Sequence, residues 1–125
     1  MMTLTSAVEL VLHAAEGEPC SIHVRKMPAC TIGNLAAAVA YGLTGSWDYP
    51  IQKIGPRPGD KYHEVLVSED EMGRSFEDLD GYTIHPSGIQ RKCHLMQDIV
   101  EYTSQNAEQL TREELADMLH REGWL

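Results

Sequence analysis

The sequence predicts an α/β fold with three to four helices and a few short strands. Apolar residues recur at helical spacing in three stretches, alternating apolar and polar segments lie between them, and glycine and proline punctuate the joins. A length of 125 residues suits one domain, and 42% apolar with 23% charged residues is globular rather than disordered composition.

In chain order, Leu4, Ala7, Val8, Val11, Leu12 and Ala15 fall on one helical face, and Gly17 with Pro19 ends that helix. Ser6 followed by Glu9 has capping-box spacing. Residues 20–26 alternate, which puts Ile22 and Val24 on the buried face of a strand that Met27-Pro28 breaks. Thr31 caps a second helix to about Leu43, with Ile32, Leu35, Ala36, Val39 and Leu43 inward, and Gly42, Gly45 and Ser46 terminate it. Residues 49–54 read as a short strand, followed by a rigid turn over Gly55-Pro-Arg-Pro-Gly-Asp60. Helix is expected across 61–73 and a further extended piece at 81–86. Residues 87–109 carry no clear period. Thr111-Arg-Glu-Glu114 is a capping box opening a last helix, with Leu110 placed to staple to Leu115, a stripe of Leu115, Met118 and Leu119, and Gly123 as its close.

Formal charge is 10 − 19 = −9, which disfavours unspecific binding to nucleic acid or to an anionic membrane. Residues 60–80 hold eight acids against two bases, two-thirds of that net charge. No apolar run approaches a membrane span, and no basic segment followed by an apolar one opens the chain as a secretory signal would. Cys20, Cys30 and Cys93 do not make a disulfide framework. A cytoplasmic, reduced protein is the expectation.

Cys20, His23 and Cys30 lack the pairwise spacing of a zinc site, so no metal is assigned. Tyr49 and Lys53 spell Y-x-x-x-K, the acid/base pair of short-chain dehydrogenases, but that chemistry needs both residues one turn apart on a helix. The stretch reads as strand, so the match is taken as coincidence. No G-x-G-x-x-G follows a strand, so no NAD or NADP site and no catalytic residue are assigned to these residues. Arg57-Pro-Gly-Asp60 is the most informative cluster. An arginine fork clamps phosphate or pyrophosphate, and a nearby carboxylate accepts from ribose hydroxyls; the alternative is a surface turn in which Arg57 pairs with Asp60 or Glu64. Glu69-Asp70-Glu71 reads as a solvated helix face.

The stretch Ile51-Gln-Lys-Ile-Gly-Pro-Arg-Pro-Gly-Asp-Lys-Tyr-His-Glu-Val-Leu-Val-Ser-Glu-Asp-Glu-Met72 resembles the "RPGEK-HE-L-S-EE" signature of polysaccharide-biosynthesis nucleotide-sugar dehydratases. These are extended short-chain dehydrogenases, typified by UDP-N-acetylglucosamine 4,6-dehydratases and related capsule or flagellin-sugar enzymes. Met2–Leu12 is similar to their "MTL-EAV-LVL" helix, and Ile22–Leu35 to "IFV-K-PA-TI-DL". Tyr102–Asn106 and Leu110–Leu115 resemble "YSS-N" and "LT-EEL" near the family's C-terminus. The ordered motifs span most of the chain outside 87–100.

The resemblance implies the small C-terminal substrate-binding domain of an extended short-chain dehydrogenase, without the Rossmann domain that carries NAD(P), the glycine motif and the Tyr/Lys pair. Met1-Met2 falls in the middle of the family's usual chain, which suggests a free-standing domain, a split-gene product or a shortened piece. Within one domain of residues 1–125, residues 1–86 would be the substrate-binding core and 87–125 an extension ending in the last helix. By position, Arg57 would contact the pyrophosphate of a UDP-sugar and Asp60 its ribose, while Gly59, His63 and Glu64 would support the loop. Many dehydratases have Glu where Asp60 stands, whereas R-x-G-D occurs in nucleotide-sugar epimerases, so both reactions stay open. The implied function is a UDP-sugar-binding domain, silent without its NAD(P)-binding half. The alternative is a non-catalytic assembly module that oligomerises or complements a separate Rossmann-domain chain. Helices 4–15 and 31–43 would then pack partly against that other domain, and alone they would favour homo-oligomers.

Overall fold

The computed structural model describes residues 1–86 and 100–125. Among them are four helices and five short strands, all strand pairs antiparallel. The chain divides into two compact units, Met2–Met27 with His63–Ala107, and Met1 with Pro28–Tyr62 and Glu108–Leu125.

In the first unit, α1 (Leu4–Glu16) precedes β1 (Ile22–Arg25). Its N-cap is Thr3, whose hydroxyl accepts from the Ser6 N–H, so the expected Ser6–Glu9 box is replaced by a cap one turn earlier. A sheet runs in the order β1-β4-β3, with β3 at Ser75–Glu77 and β4 at Gly81–Ile84. Its β3–β4 hairpin is closed by Asp78, whose Oδ1 accepts from the Asp80 and Gly81 N–H groups at 2.9 and 2.8 Å. Gly81 faces Arg25 across the ladder, where a Cβ would stand 2.2 Å from the Val24 carbonyl oxygen. A separate ribbon pairs β2 (Val65–Val67) with β5 (Tyr102–Thr103). Val67, Ser75, Ile84, His85, Tyr102 and Ala107 are buried.

The helix expected across 61–73 is instead β2 followed by the single-turn α3 (Glu69–Met72). Val65-Leu-Val67 favours a strand once Tyr102 and Thr103 offer a partner. Ser68 and Glu71 then form a capping box that restarts the chain as helix.

In the second unit, α2 (Ile32–Thr44) packs against α4 (Arg112–Arg121). Both begin at threonine caps as expected, Thr31 and Thr111, and Gly123 turns the chain at φ +72° beyond α4. Ala38 and Leu115 are the fully buried residues of this pair. The inward set expected on α2 is therefore wrong in part, because Ile32, Val39 and Leu43 are exposed. Trp47 lies between the Tyr41 ring, stacked at 4.1 Å, and the Arg112 guanidinium at 4.7 Å. Residues 49–54 form no strand. Among the described residues no strand pairs with them, and Pro50 has no N–H to offer a ladder.

Candidate functional site

The Gly55–Asp60 loop belongs to the unit built on α2 and α4. Gly55 and Gly59 both take positive φ, +78° and +94°. Arg57-Pro58-Gly59-Asp60 closes as a β-turn, with the Asp60 N–H donating to the Arg57 carbonyl at 3.0 Å. Proline at the second position and a positive-φ glycine at the third are the type II preference. Asp60 Oδ2 accepts from the Arg57 N–H at 2.7 Å, which locks the turn from the other side. The carboxylate thus engages the Arg57 main chain, and not its guanidinium as the surface-turn reading supposed. Among the described residues the exposed guanidinium has no ion-pair partner.

His63 and Glu64 lie in the other unit, at the entry to β2, and both are exposed. The Glu64 N–H donates to Ser104 Oγ at 2.9 Å and its carbonyl accepts from the Ser104 N–H at 2.8 Å. Tyr49 and Lys53 stand on irregular chain, so the Y-x-x-x-K match does not occupy a helix turn. Cys93 lies outside the described residues.

Other motif residues turn out to be structural. The Tyr102 hydroxyl accepts from the Met27 N–H at 3.0 Å and donates to the Met27 carbonyl at 3.1 Å. Asn106 closes the following turn, its Oδ1 accepting from the Thr103 N–H at 2.8 Å and its Nδ2 donating to the Glu101 carbonyl at 2.6 Å. Lys26 pairs with Glu77 at 2.6 Å, and the hydrogen bond from that carboxylate raises the ammonium above its usual value. Burial raises the neighbouring Tyr82 hydroxyl likewise. Periodicity gave no warning of the Tyr102–Met27 and Lys26–Glu77 bonds, which join segments far apart in sequence.

A concave feature lies between α1 and the β1–β4 face, with a volume of about 120 Å³. His23 is pinned within it, Nε2 3.0 Å from Ser21 Oγ and Nδ1 3.3 Å from Thr83 Oγ1.

Comparison with known proteins decides the family. The family model described as "Polysaccharide biosynthesis protein" matches residues 1–86. The chain belongs to the polysaccharide biosynthesis protein family. Similar proteins include the UDP-glucose 4-epimerase of Rickettsia bellii (strain OSU 85-389), 37% identical over 132 residues, covering 95% of this chain and 37% of that protein. The UDP-glucose 4-epimerase of Rickettsia canadensis (strain McKiel) is 38% identical over the same shares. Among solved structures, the X-ray structure of Pen from Bacillus thuringiensis superposes with a TM-score of 0.78 at 29% identity. It covers 100% of this chain and 38% of its own. This polysaccharide biosynthesis chain therefore spans little more than a third of the length of the relatives it matches.

Proposed function

We propose that this chain is the substrate-holding part of a nucleotide-sugar epimerase and that its ligand is a UDP-sugar. The observation that carries the reading is the Arg57 guanidinium, without an ion-pair partner among the described residues and set at the start of a turn locked by Pro58, Gly59 and Asp60. A rigid turn loses little entropy when a ligand docks, and a guanidinium fork matches two phosphate oxygens at once. Arg57 takes the pyrophosphate. Asp60 keeps Oδ2 on the turn and offers Oδ1 to a ribose hydroxyl. Glu64 supports the chain beyond the loop through its main-chain pairing with Ser104, and His63 stands next to it in sequence. The names of the Rickettsia relatives and the aspartate at position 60 favour epimerisation over dehydration.

Epimerisation at a sugar carbon removes a hydride and returns it, and in the family this chain resembles NAD(P)+ would take that hydride up and give it back. These residues bind and orient. The dinucleotide and the acid/base pair belong to a complementary Rossmann-type portion, so the chain is silent by itself.

Calorimetric titration with UDP, UDP-glucose and UDP-N-acetylglucosamine tests the binding half of the reading. Micromolar to low-millimolar affinity is expected for the parent. Arg57→Ala should weaken it by about 1.5–3 kcal/mol, the range for hydrogen bonds to charged groups. Absence of heat from folded protein, or equal binding by the variant, overturns the assignment.

A further inference from the structure

α1 meets the sheet on the side that carries Ser6, Glu9, Leu10 and His13, while Leu4, Val8, Val11 and Leu12 stay exposed. From β1, Arg25 donates to the Ser6 carbonyl at 3.1 Å and reaches Glu9 at 3.4 Å. In the last turn of the helix the contact is His13, whose ring stands edge-on to His23 at 5.3 Å.

The hydrogen bonds around His23 assign its proton. Ser21 Oγ donates its one hydrogen to the Glu18 carbonyl at 2.6 Å, so toward His23 it can only accept. Nε2, 3.0 Å away, therefore carries the hydrogen, and Nδ1 accepts from the Thr83 hydroxyl at 3.3 Å. Both nitrogens are satisfied in the neutral ring. Gly17 closes over it, since a Cβ there would stand 2.6 Å from Nε2. His23 is thus a fixed, uncharged wall.

His13 is exposed and faces mostly negative charge. Glu9 precedes it by one turn, the order in which a carboxylate supports a cation four residues later, and Glu16 follows it on the same helix. The last carbonyls of α1 add partial negative charge at this end. Across the cleft stand Asp78 and Asp80 from the β3–β4 turn, opposed by Arg25 of β1, which Glu9 already engages. Tyr82 and Thr83 of β4 bring no charge at neutral pH. Glu18, beyond the helix, has its carboxylate 3.5 Å from His85 Nδ1.

We propose that His13 is a pH-sensitive clasp: with a proton it ties the last turn of α1 to the cleft, and without one it releases that turn. The neutral ring gains nothing from the carboxylates or from the helix end. Closure therefore belongs to the acid side of the histidine range and is lost as pH rises through it. It is independent of UDP at Arg57, which lies in the other unit.

The test is amide hydrogen exchange of the whole chain, read residue by residue by NMR at about pH 6 and about pH 8 and corrected for the intrinsic pH dependence of exchange. Parent, His13→Gln and His13→Lys are compared. Both variants should fold as the parent does, because the His13 side chain is exposed. In the parent, the amides of residues 14–17 should be about 2–5-fold better protected at the lower pH, the range for one charge at a helix end. Added salt should shrink that gain. His13→Gln should show no gain, and His13→Lys, charged at both pH values, should be protected at both. The nitrogen shifts of His23 at the higher pH should report hydrogen on Nε2. A parent indifferent to pH, a gain retained by His13→Gln, a His13→Lys as loose as His13→Gln, or hydrogen on Nδ1 of His23 overturns the proposal.

Discussion

A methyl group at Gly81 would press on the Val24 carbonyl oxygen at 2.2 Å, and that oxygen belongs to a backbone paired in a sheet. Neither side can yield without loosening the β1–β4 ladder. Gly81→Ala should therefore lower unfolding free energy by about 1–3 kcal/mol, the usual cost of overpacking, measured by denaturant titration. Gly59 fails for a different reason: its surroundings are open, but its φ of +94° is a glycine conformation. At this scale the sequence was legible wherever a residue's role is local. Arg57, Pro58, Gly59 and Asp60 read as a stiff turn, and they form one. Tyr102 on Met27 and Lys26 on Glu77 were not legible, because each bond spans dozens of residues and depends on chain that approaches only after folding.

Helix termini are the strongest element-scale signals here. Thr31 and Thr111 cap where expected, and the Ser68 box decides that the acidic run Glu69-Asp70-Glu71 opens a helical turn, where negative charge suits the N-terminus. Thr111→Ala should cost about 1 kcal/mol of stability, seen as an earlier thermal melt. The box carboxylates also set an acid limit. Hydrogen bonds from the Ser68 and Thr111 main-chain N–H groups hold Glu71 and Glu114 below the ordinary 4.5. Their contribution is complete above pH 4.5 and fades as pH falls through the depressed folded values. Helical circular dichroism should fall in that acid range, and less steeply in Glu114→Gln, which keeps an acceptor that does not titrate. Strands were read less well than helices. The 49–54 segment alternates as a strand does but has no described partner, whereas Val65–Val67 was assigned to helix and found one. A strand is a property of two segments, and periodicity describes only one.

Net charge of −9 and a sequence pI near 5.0 govern the molecule as a whole. Turbidity should peak as pH is lowered to about 5.0, where repulsion between copies vanishes and the outward α1 stripe remains. Moderate salt at neutral pH should raise the melting temperature by screening the acids concentrated in 60–80. No helix among the described residues is long and apolar enough to cross a membrane.

By itself the sequence determined the α/β class, the helices α2 and α4 with their threonine caps, the Gly55–Asp60 turn and the family. Each of these rests on neighbours a few residues apart or on motifs in a row. Only the tertiary structure decided which way α1 faces, which strands pair, and that the Arg57 guanidinium is left without an ion-pair partner among the described residues. A helical period says that one face is apolar. It does not say what lies on the other side, and in α1 the sheet took the face bearing Ser6, Glu9 and His13.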